Sequence, residues 1–265
     1  MIIIGEKING SIPRIGAAIV ERDEACIREL ARKQTDCKAS YLDVCASVSP
    51  DKELETLKWL VDVVQQESDL PLSLDSPNAG VFAEAIGFCK KPGIINSVSM
   101  EGDKIERVFP VIADTEWRCV ALLCDNTGIP DSAEKRLEVF ERILEKAGEY
   151  GIAPGRLYVD PVVEMLASSE DGTLKIFDTI RSVKTRCPDV HITSGASNIS
   201  FHLPLRKFIN RSFIILCMGA GMDSAILDPA NEDMLALIYA AEALLGKDEM
   251  CMEYIGAYRE GLFGG

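Results

Sequence analysis

Four polar side chains in this sequence could together bind a flat heterocycle. Each follows a short apolar run, and two are carboxylates while two are amides: Asp75, Asn96, Asp160 and Asn198. Ionised carboxylates accept hydrogen bonds, and amides both donate and accept them. Two of each match a planar ring that carries an amino group beside a carbonyl along one edge. A reduced pterin is one such ligand, and the chemistry alone leaves other heterocycles open.

The same kind of polar ending recurs along the whole chain. Eight short apolar runs each end in a carboxylate, an amide or a glycine, with helix-like sequence between them. The runs are Ile2 to Ile4 into Gly5 and Glu6, Tyr41 and Leu42 into Asp43, Leu72 to Leu74 into Asp75, Ile94 and Ile95 into Asn96, Val120 to Leu123 into Cys124 and Asp125, Leu157 to Val159 into Asp160, His191 to Thr193 into Ser194, Gly195 and Asn198, and Ala225 to Leu227 into Asp228. The repeat predicts eight strands whose ends carry these polar residues.

Runs that are apolar at successive positions are typical of strands buried on both faces, and helical connections between them predict a parallel sheet. Eight such units in 265 residues predict a single α/β domain over residues 1–265, a (β/α)8 or TIM barrel. In that fold the carboxyl ends of all strands lie on one face of the barrel, and we expect the polar endings to converge there. For any single ending, a turn residue or a helix cap is the alternative interpretation. The set as a whole favours a shared site.

The segments between the runs have apolar residues at helical spacing, which indicates crossover helices packed on a core. Asp131 with Glu134 three residues later predicts a capping box before one of these helices. Gly151 and Gly246 predict C-terminal caps. The three clearest stripes are Leu54, Leu57, Leu60, Val61 and Val64; Leu137, Phe140, Ile143, Leu144 and Ala147; and Met234, Leu235, Ile238, Ala241, Leu244 and Leu245.

Composition and charge narrow the possible function classes. The chain is 47% hydrophobic and 26% charged without an apolar stretch long enough to cross a bilayer, so we expect no membrane attachment. The first residues lack the basic region of a signal peptide, which predicts a cytoplasmic protein. A formal charge of −14 argues against nonspecific binding to nucleic acid or to anionic membranes. The basic cluster of Arg206, Lys207 and Arg211 either binds an anion locally or is a solvated helix face.

Cysteines and histidines give little support for metal or covalent chemistry. None of the nine cysteines forms a CxxC pair, and no metal ligands are predicted. Cys45 lies at the predicted mouth and is interpreted as a small buried hydrophobe. His191 opens a strand at the far end of the barrel, which favours a structural role, whereas His202 follows Asn198 in a position to contact a ligand. No nucleophile motif such as GxSxG is present.

Local motifs add a resemblance to a known family. The segments GEKING, LDV, SLDSPN, INSVS, NTGIP, YVDP, GASNIS and INRSF occur in this order over nearly the whole chain. Together they resemble the pterin-binding methyltransferase family. Within it, the motifs are most similar to enzymes that pass a methyl group between tetrahydrofolate and a corrinoid protein. These include the methylcorrinoid:tetrahydrofolate methyltransferases and the acetogenic methyltransferase that serves the corrinoid/iron-sulfur protein. The resemblance implies a pterin-binding TIM barrel with this activity.

The resemblance also implies roles for individual residues. Asp75 of SLDSPN, Asn96 of INSVS and Asp160 of YVDP match the residues that hydrogen-bond the pterin ring. Asn198 of GASNIS matches the catalytic residue that reaches N5, the nitrogen that carries the methyl group. The remaining matches to the pterin site are Gly195, Ser197 and Arg206.

The implied reaction is a direct displacement in which the methyl group moves between N5 and cobalt with no enzyme-bound intermediate. Tetrahydrofolate or 5-methyltetrahydrofolate is then a substrate. No segment resembles a cobalamin-binding domain, so we expect the corrinoid to be carried by a partner protein. A homodimer is expected from the family. The setting it implies is one-carbon metabolism, by O-demethylation or acetogenesis.

Three positions depart from the pattern of the acetogenic enzyme. Cys45 replaces an asparagine, Asp125 replaces an amide, and Phe201 replaces a glutamine beside Asn198. We interpret this as an intact pterin half with a changed partner surface, and neutral drift is the alternative. Two other functions stay open. A dihydropteroate synthase-like enzyme should carry a basic motif near strand seven, which GASNISF lacks, and a noncatalytic folate-binding barrel should bind without turnover. A divalent-metal lyase is disfavoured because the mouth offers carboxylates without a histidine partner.

Overall fold

The computed structural model of the protein describes residues 1–168 and 171–264, in which eight parallel strands form a barrel. The strands are β1 (Ile2–Asn9), β2 (Tyr41–Cys45), β3 (Leu72–Asp75), β4 (Ile94–Met100), β5 (Arg118–Asp125), β6 (Leu157–Asp160), β7 (His191–Ile192) and β8 (Ser224–Leu227). Every predicted apolar run falls on one of them, although β7 ends one residue before its predicted run does. The predicted order of strands is therefore confirmed.

The strands pair in the order β7-β6-β5-β4-β3-β2-β1-β8, and all pairs are parallel. The two ends of this order meet through the segment that follows β7. There the Ile226 amide donates to the Ser194 carbonyl at 3.0 Å, and the Ala196 amide donates to the Ile226 carbonyl at 3.1 Å. The barrel thus closes, which confirms the predicted (β/α)8 fold and places all strand carboxyl ends at one mouth.

Crossover helices pack around the strands. The α-helices of the described residues are α1 (Pro13–Val20), α2 (Glu24–Asp36), α3 (Pro50–Glu67), α4 (Phe82–Ala85), α5 (Lys104–Ile112), α6 (Ala133–Glu149), α7 (Gly172–Arg186), α8 (Arg206–Ala220), α9 (Glu232–Leu244) and α10 (Met252–Arg259). None of the helices in this described part is long and apolar enough to cross a membrane.

The helix caps agree with the sequence at two of three places. Gly151 and Gly246 follow α6 and α9 with φ of +67° and +69°, a backbone conformation that favours glycine. The predicted cap at Asp131 is wrong by one residue. Ser132 caps α6, its hydroxyl oxygen accepting from the Lys135 amide at 3.3 Å. Asp131 precedes this cap and instead forms an ion pair with the Lys135 ammonium at 2.8 Å.

Apolar side chains pack in two layers. The larger layer lies between the strands and the helices. A smaller cluster of five buried residues from five strands fills the interior of the barrel: Ile4, Tyr41, Ile94, Val120 and Tyr158. These residues lie near the amino ends of their strands. The inner cluster closes that half of the barrel, which leaves the carboxyl half open to a ligand.

His191 belongs to the closed half. Its ring stacks on Tyr158 with 4.6 Å between the ring centroids, and its Nδ1 lies 3.1 Å from a carboxylate oxygen of Asp223. The other oxygen of Asp223 accepts from the Ile192 amide at 2.8 Å. These contacts tie the start of β7 to the turn before β8, in agreement with the predicted structural role.

Candidate active site

A cleft of about 400 Å³ opens at the carboxyl ends of the strands. Its wall contains six of the residues that the sequence predicts for the site: Asp75, Asn96, Asp160, Gly195, Ser197 and Asn198. They come from β3, β4, β6 and the segment after β7. Only barrel closure brings these distant parts of the chain together.

Asp75 and Asn96 lie opposite each other in the parallel register of β3 and β4. Behind them, Asp43 Oδ1 accepts hydrogen bonds from Asn96 Nδ2 at 3.2 Å and from Ser73 Oγ at 2.6 Å. Because one N–H of the Asn96 amide is donated to Asp43, the amide oxygen and the second N–H are left for a ligand. Asp43 is only 2% exposed, so this orientation is set inside the barrel.

The carboxyl groups of the cleft hold protons more tightly than ordinary carboxyls. Desolvation raises the pKa of Asp75 to about 6 and that of Asp160 to about 6. Desolvation also raises the pKa of Glu6 to about 7, against the opposing charge of Lys7. The pKa of buried Asp43 is raised well above its usual range, first by desolvation and then by the charge of Asp75. Near neutral pH these groups can therefore gain or lose a proton as a ligand demands.

Asn198 begins a single 3-10 turn, Asn198–Ser200, in the loop after β7. Its side chain is exposed at the cleft. A Cβ at Gly195 would lie 3.3 Å from Asn198 Nδ2, which is tighter than ordinary contact. Glycine at that position therefore leaves the amide room to rotate. A rotating amide can offer either its NH2 or its oxygen to an atom that changes protonation.

Arg206 lies beside the cleft. It lines an adjoining cavity of about 290 Å³ together with the rest of the basic cluster, and Glu6 and Ser197 line both cavities. Its guanidinium donates to the Ser197 carbonyl at 2.8 Å and to the Ser200 hydroxyl at 2.9 Å. The structure thus places Arg206 against the Asn198 loop, at the junction of the two cavities.

Two of the carboxylates that end strands, Asp125 and Asp228, lie outside the cleft. Asp125 lies three residues beyond Leu122, the β5 residue that lines the cleft, and odd spacing turns its side chain to the other face. Its carboxylate accepts from the Thr127 hydroxyl and amide and from Arg142, which lowers its pKa to about 2. Asp228 lines the adjoining cavity. The expectation that all endings share one site is therefore wrong for both residues, and for Asp125 the turn interpretation holds.

Neither Cys45 nor His202 is among the described residues that line the cleft. Cys45 is buried with its Sγ 3.2 Å from Ser47 Oγ, and desolvation raises the pKa of this thiol to about 12. Such a thiol is a poor nucleophile at neutral pH. His202 is exposed in the loop after Asn198, with φ of +63°.

Comparison with known proteins gives the family. Residues 16–228 match the family described as pterin binding enzyme. The chain belongs to this family. The methylcorrinoid:tetrahydrofolate methyltransferase of Eubacterium limosum is 46% identical over 100% of this chain and 98% of its own length. A methionine synthase of Mycobacterium tuberculosis is 30% identical over 86% of this chain, which spans only 20% of that longer protein.

Solved structures of the pterin-binding family share the architecture. A dihydropteroate synthase of Yersinia pestis aligns with a TM-score of 0.65 at 16% identity, over 92% of this chain and 93% of its own. The enzyme of Xanthomonas albilineans, in complex with 7,8-dihydropteroate, aligns with a TM-score of 0.64 at 18% identity, over 91% and 93%. At these identities the likeness establishes the fold alone, a pterin-binding type of TIM barrel.

The cleft also contains two carboxyl groups that the sequence predicts only as strand endings, Glu6 and Asp43. The available signal for Asp43 is its place in the LDV motif at the end of an apolar run. Its role as the partner of Asn96 depends on the register between neighbouring strands. Register is set by tertiary pairing and could not be derived from either strand by itself.

Proposed function

We propose that this protein is a methylcorrinoid:tetrahydrofolate methyltransferase, which moves a methyl group between a protein-bound corrinoid and N5 of tetrahydrofolate. The observation that carries the proposal is the sharing of one cleft by Asp75, Asn96, Asp160 and Asn198. The full-length relative at 46% identity supports it independently. Three of these residues suit the pterin ring, and the fourth suits its reactive nitrogen.

The pterin edge of tetrahydrofolate presents ring N–H and amino donors beside a carbonyl. Ionised Asp75 and Asp160 accept hydrogen bonds from those donors, and the Asn96 oxygen left open by Asp43 accepts another. Gly195 and Ser197 line the same cleft. Because these acceptors are already placed before the ligand enters, and because the ligand excludes water, each bond gains strength in the closed site.

In the folate-methylating direction, the N5 lone pair attacks the methyl carbon while the cobalt–carbon bond breaks. The electron pair of that bond stays on cobalt, giving cob(I). N5 then releases its proton and becomes a neutral tertiary amine. The Asn198 oxygen can accept a hydrogen bond from N5–H during this step while the proton itself leaves to solvent, and in reverse its NH2 can donate a hydrogen bond to the unprotonated nitrogen. Alignment of N5 with the methyl group supplies several kcal/mol of barrier lowering, roughly 7–11 kcal/mol at the limit.

The corrinoid arrives on a second protein in this proposal. The described strands and crossover helices all belong to the barrel, and its cleft opens directly at the mouth. The folate occupies the cleft, and its anionic glutamate suits the adjoining cavity with the basic cluster, where Arg206 marks the junction. The mouth beside the Asn198 loop is then left for the corrinoid protein.

We extend the proposal to setting and compartment. The reaction consumes a methylcorrinoid, so another methyltransferase must supply it, as an O-demethylation or acetogenic pathway would. All nine cysteines are free. Free thiols in this number fit a reducing compartment, which supports a cytoplasmic location.

We also propose a homodimer formed through the outer face of α8 and α9. Phe208 and Leu216 on α8 and Leu237 on α9 are exposed on that face. They border apolar cavities of about 310 Å³ and 580 Å³. Contiguous exposed apolar surface of this kind is typical of a protein interface.

The methyl-transfer proposal is tested by mixing the protein anaerobically with methylcob(III)alamin and tetrahydrofolate and recording absorbance. We expect a cob(I) spectrum to grow, and its rate to fall about 100-fold in Asn198→Ala. Folate binding without cob(I), from either the free or a protein-bound methylcorrinoid, would contradict the proposal. Turnover of a pterin pyrophosphate would then indicate a dihydropteroate synthase-like enzyme, and binding without any turnover would indicate a noncatalytic barrel.

A further inference from the structure

Phe201 packs against Arg206 beside the Asn198 loop. The guanidinium carbon of Arg206 lies 4.8 Å from the centroid of the Phe201 ring. The same guanidinium donates through Nη2 to the Ser197 carbonyl at 2.8 Å and through Nε to the Ser200 hydroxyl at 2.9 Å. These four residues together form what we call the loop clasp.

The loop clasp surrounds Asn198 on both sides in sequence. Ser197 precedes the 3-10 turn that Asn198 begins, and Ser200 ends it. A single 3-10 turn has poor hydrogen-bond geometry and is marginal without support. Within the part of the chain that the structure describes, the exposed Asn198 side chain makes no hydrogen bond of its own. The backbone of the turn therefore aims the Asn198 amide, and the loop clasp holds that backbone.

We propose that Phe201 is a positioning residue for methyl transfer, which acts through Arg206 to aim Asn198. This inference rests on the proposed function and adds to it a residue that need not touch the reacting atoms. The ring face fixes the plane of the guanidinium, as cation–π contacts do. Without the Phe201 ring, Nε or Nη2 of Arg206 can move out of hydrogen-bond distance of Ser200 or Ser197. Since misplacing a reacting group by about 1 Å costs roughly 100-fold in rate, a loosened turn lowers kcat by about tenfold.

Direct contact with folate is the competing role for Phe201, because its ring is 43% exposed and lines the cleft. The two roles differ in steady-state kinetics. A lost ligand contact raises KM for folate, whereas a misaimed Asn198 lowers kcat and leaves that KM nearly unchanged. A split between kcat and KM therefore separates positioning from binding.

The test compares Phe201→Leu, Phe201→Tyr and the control Phe88→Leu. Phe88 has the same kind of contact, with Lys58 Nζ 5.5 Å from its ring centroid, and is not among the described residues of the cleft. With free methylcobalamin and tetrahydrofolate, we expect Phe201→Leu to lower kcat about tenfold and change folate KM less than about twofold. Phe201→Tyr, which keeps the ring face, should retain the wild-type kcat, and so should Phe88→Leu. A raised KM with kcat kept, or no change in either, would overturn the proposal.

A second variant keeps the test decisive. Arg206→Lys retains the charge but cannot bridge both serines and the ring. If Phe201 acts through Arg206, the double variant Phe201→Leu/Arg206→Lys loses no more kcat than the worse single variant. Multiplied losses would mean that the two residues act separately, and the proposal would fail.

Hydrogen–deuterium exchange measures how firmly the loop clasp holds the backbone, and it requires no turnover. In Phe201→Leu, the backbone amides of residues 195–201 should exchange faster than in wild type, while Phe88→Leu leaves them unchanged. Unaltered exchange in Phe201→Leu would show that the ring does not hold the loop. The methyl-transfer proposal is tested by turnover of the wild-type protein, and the loop clasp is tested by the variants. The failure of one therefore gives a different result from the failure of the other.

Discussion

Asp75 and Asp160 give up their protons near pH 6, because desolvation in the cleft raises the pKa of each to about 6. In the proposed function they accept the N–H groups of the pterin as ionised carboxylates. Once protonated, each carboxyl would present an O–H donor to a ring edge that also consists of donors. We therefore expect KM for tetrahydrofolate to rise as the pH falls through about 6. Steady-state measurement of KM between about pH 5 and 8 checks this expectation.

Asp125 supplies the matched control for that pH profile. Its hydrogen bonds from Thr127 and Arg142 lower its pKa to about 2, so it stays ionised over the whole range. It also lies outside the cleft. Asp125→Asn should leave the pH dependence of KM unchanged. A KM that stays flat through pH 6 in the wild-type protein would rule out the roles given to Asp75 and Asp160.

The same desolvation lowers the stability of the ligand-free protein. A carboxyl whose folded pKa is raised stabilises the fold below its ordinary pKa of 3.8, and this contribution is lost as pH rises through about 6. The Val162 amide donates a hydrogen bond to Asp160 Oδ1 at 2.8 Å. Asp160→Asn removes the desolvated charge and keeps an oxygen that can accept this hydrogen bond. We expect Tm at pH 8 to rise by about 2–4 °C.

The gain in Tm for Asp160→Asn should be smaller near pH 5, where the wild-type carboxyl is already protonated. Folate affinity should fall about tenfold, because the ring loses a charged acceptor. Scanning calorimetry at the two pH values and a folate titration measure both effects. A Tm below wild type at pH 8 would contradict the desolvation argument.

At the scale of elements, the closeness of β3 and β4 places Asp75 beside Asn96. Gly93 immediately precedes β4, and a Cβ there would lie 1.9 Å from the Leu72 carbonyl oxygen. Gly93→Ala must therefore push the two strands apart. We expect it to lower the free energy of unfolding by about 2–4 kcal/mol.

Gly87→Ala is the control for Gly93→Ala, since a Cβ at Gly87 would meet no atom within 4 Å. Its free energy of unfolding should stay within about 0.5 kcal/mol of the wild-type value. Urea titration of the three proteins measures the difference. Equal stability of Gly93→Ala and wild type would show that the backbones approach less closely than described.

The strands could be predicted from the sequence because apolar runs buried on both faces leave few other interpretations. What the sequence could not supply is how far each strand extends past its apolar part. β3 ends at Asp75 after four residues and presents it to the cleft, whereas the eight-residue β5 carries Asp125 beyond the cleft. The length of a strand thus determines whether its polar ending lies in the cleft or in a turn. That length depends on pairing with neighbouring strands that lie far away in sequence.

The site residues show a similar limit. Residue type and motif predicted six residues that the structure brings into one cleft, but they did not predict the contacts of Arg206, whose basic character suggests a ligand. Two of its nitrogens are engaged by Ser197 and Ser200. Such internal partners are set by a loop conformation that periodicity does not encode. The sequence therefore predicts which polar residues line the cleft better than it predicts the hydrogen bonds that hold the loop beside it.

At the scale of the whole molecule, the proposed homodimer makes a testable prediction. Leu216→Glu places a charge in the apolar face of α8, where Leu216 is 56% exposed. We expect this variant to elute as a monomer in size-exclusion chromatography with light scattering, because a buried unpaired charge is costly at an interface. Val20→Glu, at the end of α1, alters a more exposed apolar residue elsewhere and should keep the wild-type mass. A monomeric wild-type protein would contradict the dimer.

In the proposed function, the cleft aligns N5 of folate with a corrinoid-bound methyl group. The most direct measurement follows the methyl carbon itself, with 13C-methylcobalamin and tetrahydrofolate mixed anaerobically with the protein and examined by NMR. The proposed function predicts that the labelled carbon appears on N5 of tetrahydrofolate at the rate at which cob(I) forms, and that Asn198→Ala slows both together. Label that stays on cobalt while folate is bound, or that appears on a protein side chain, would contradict it.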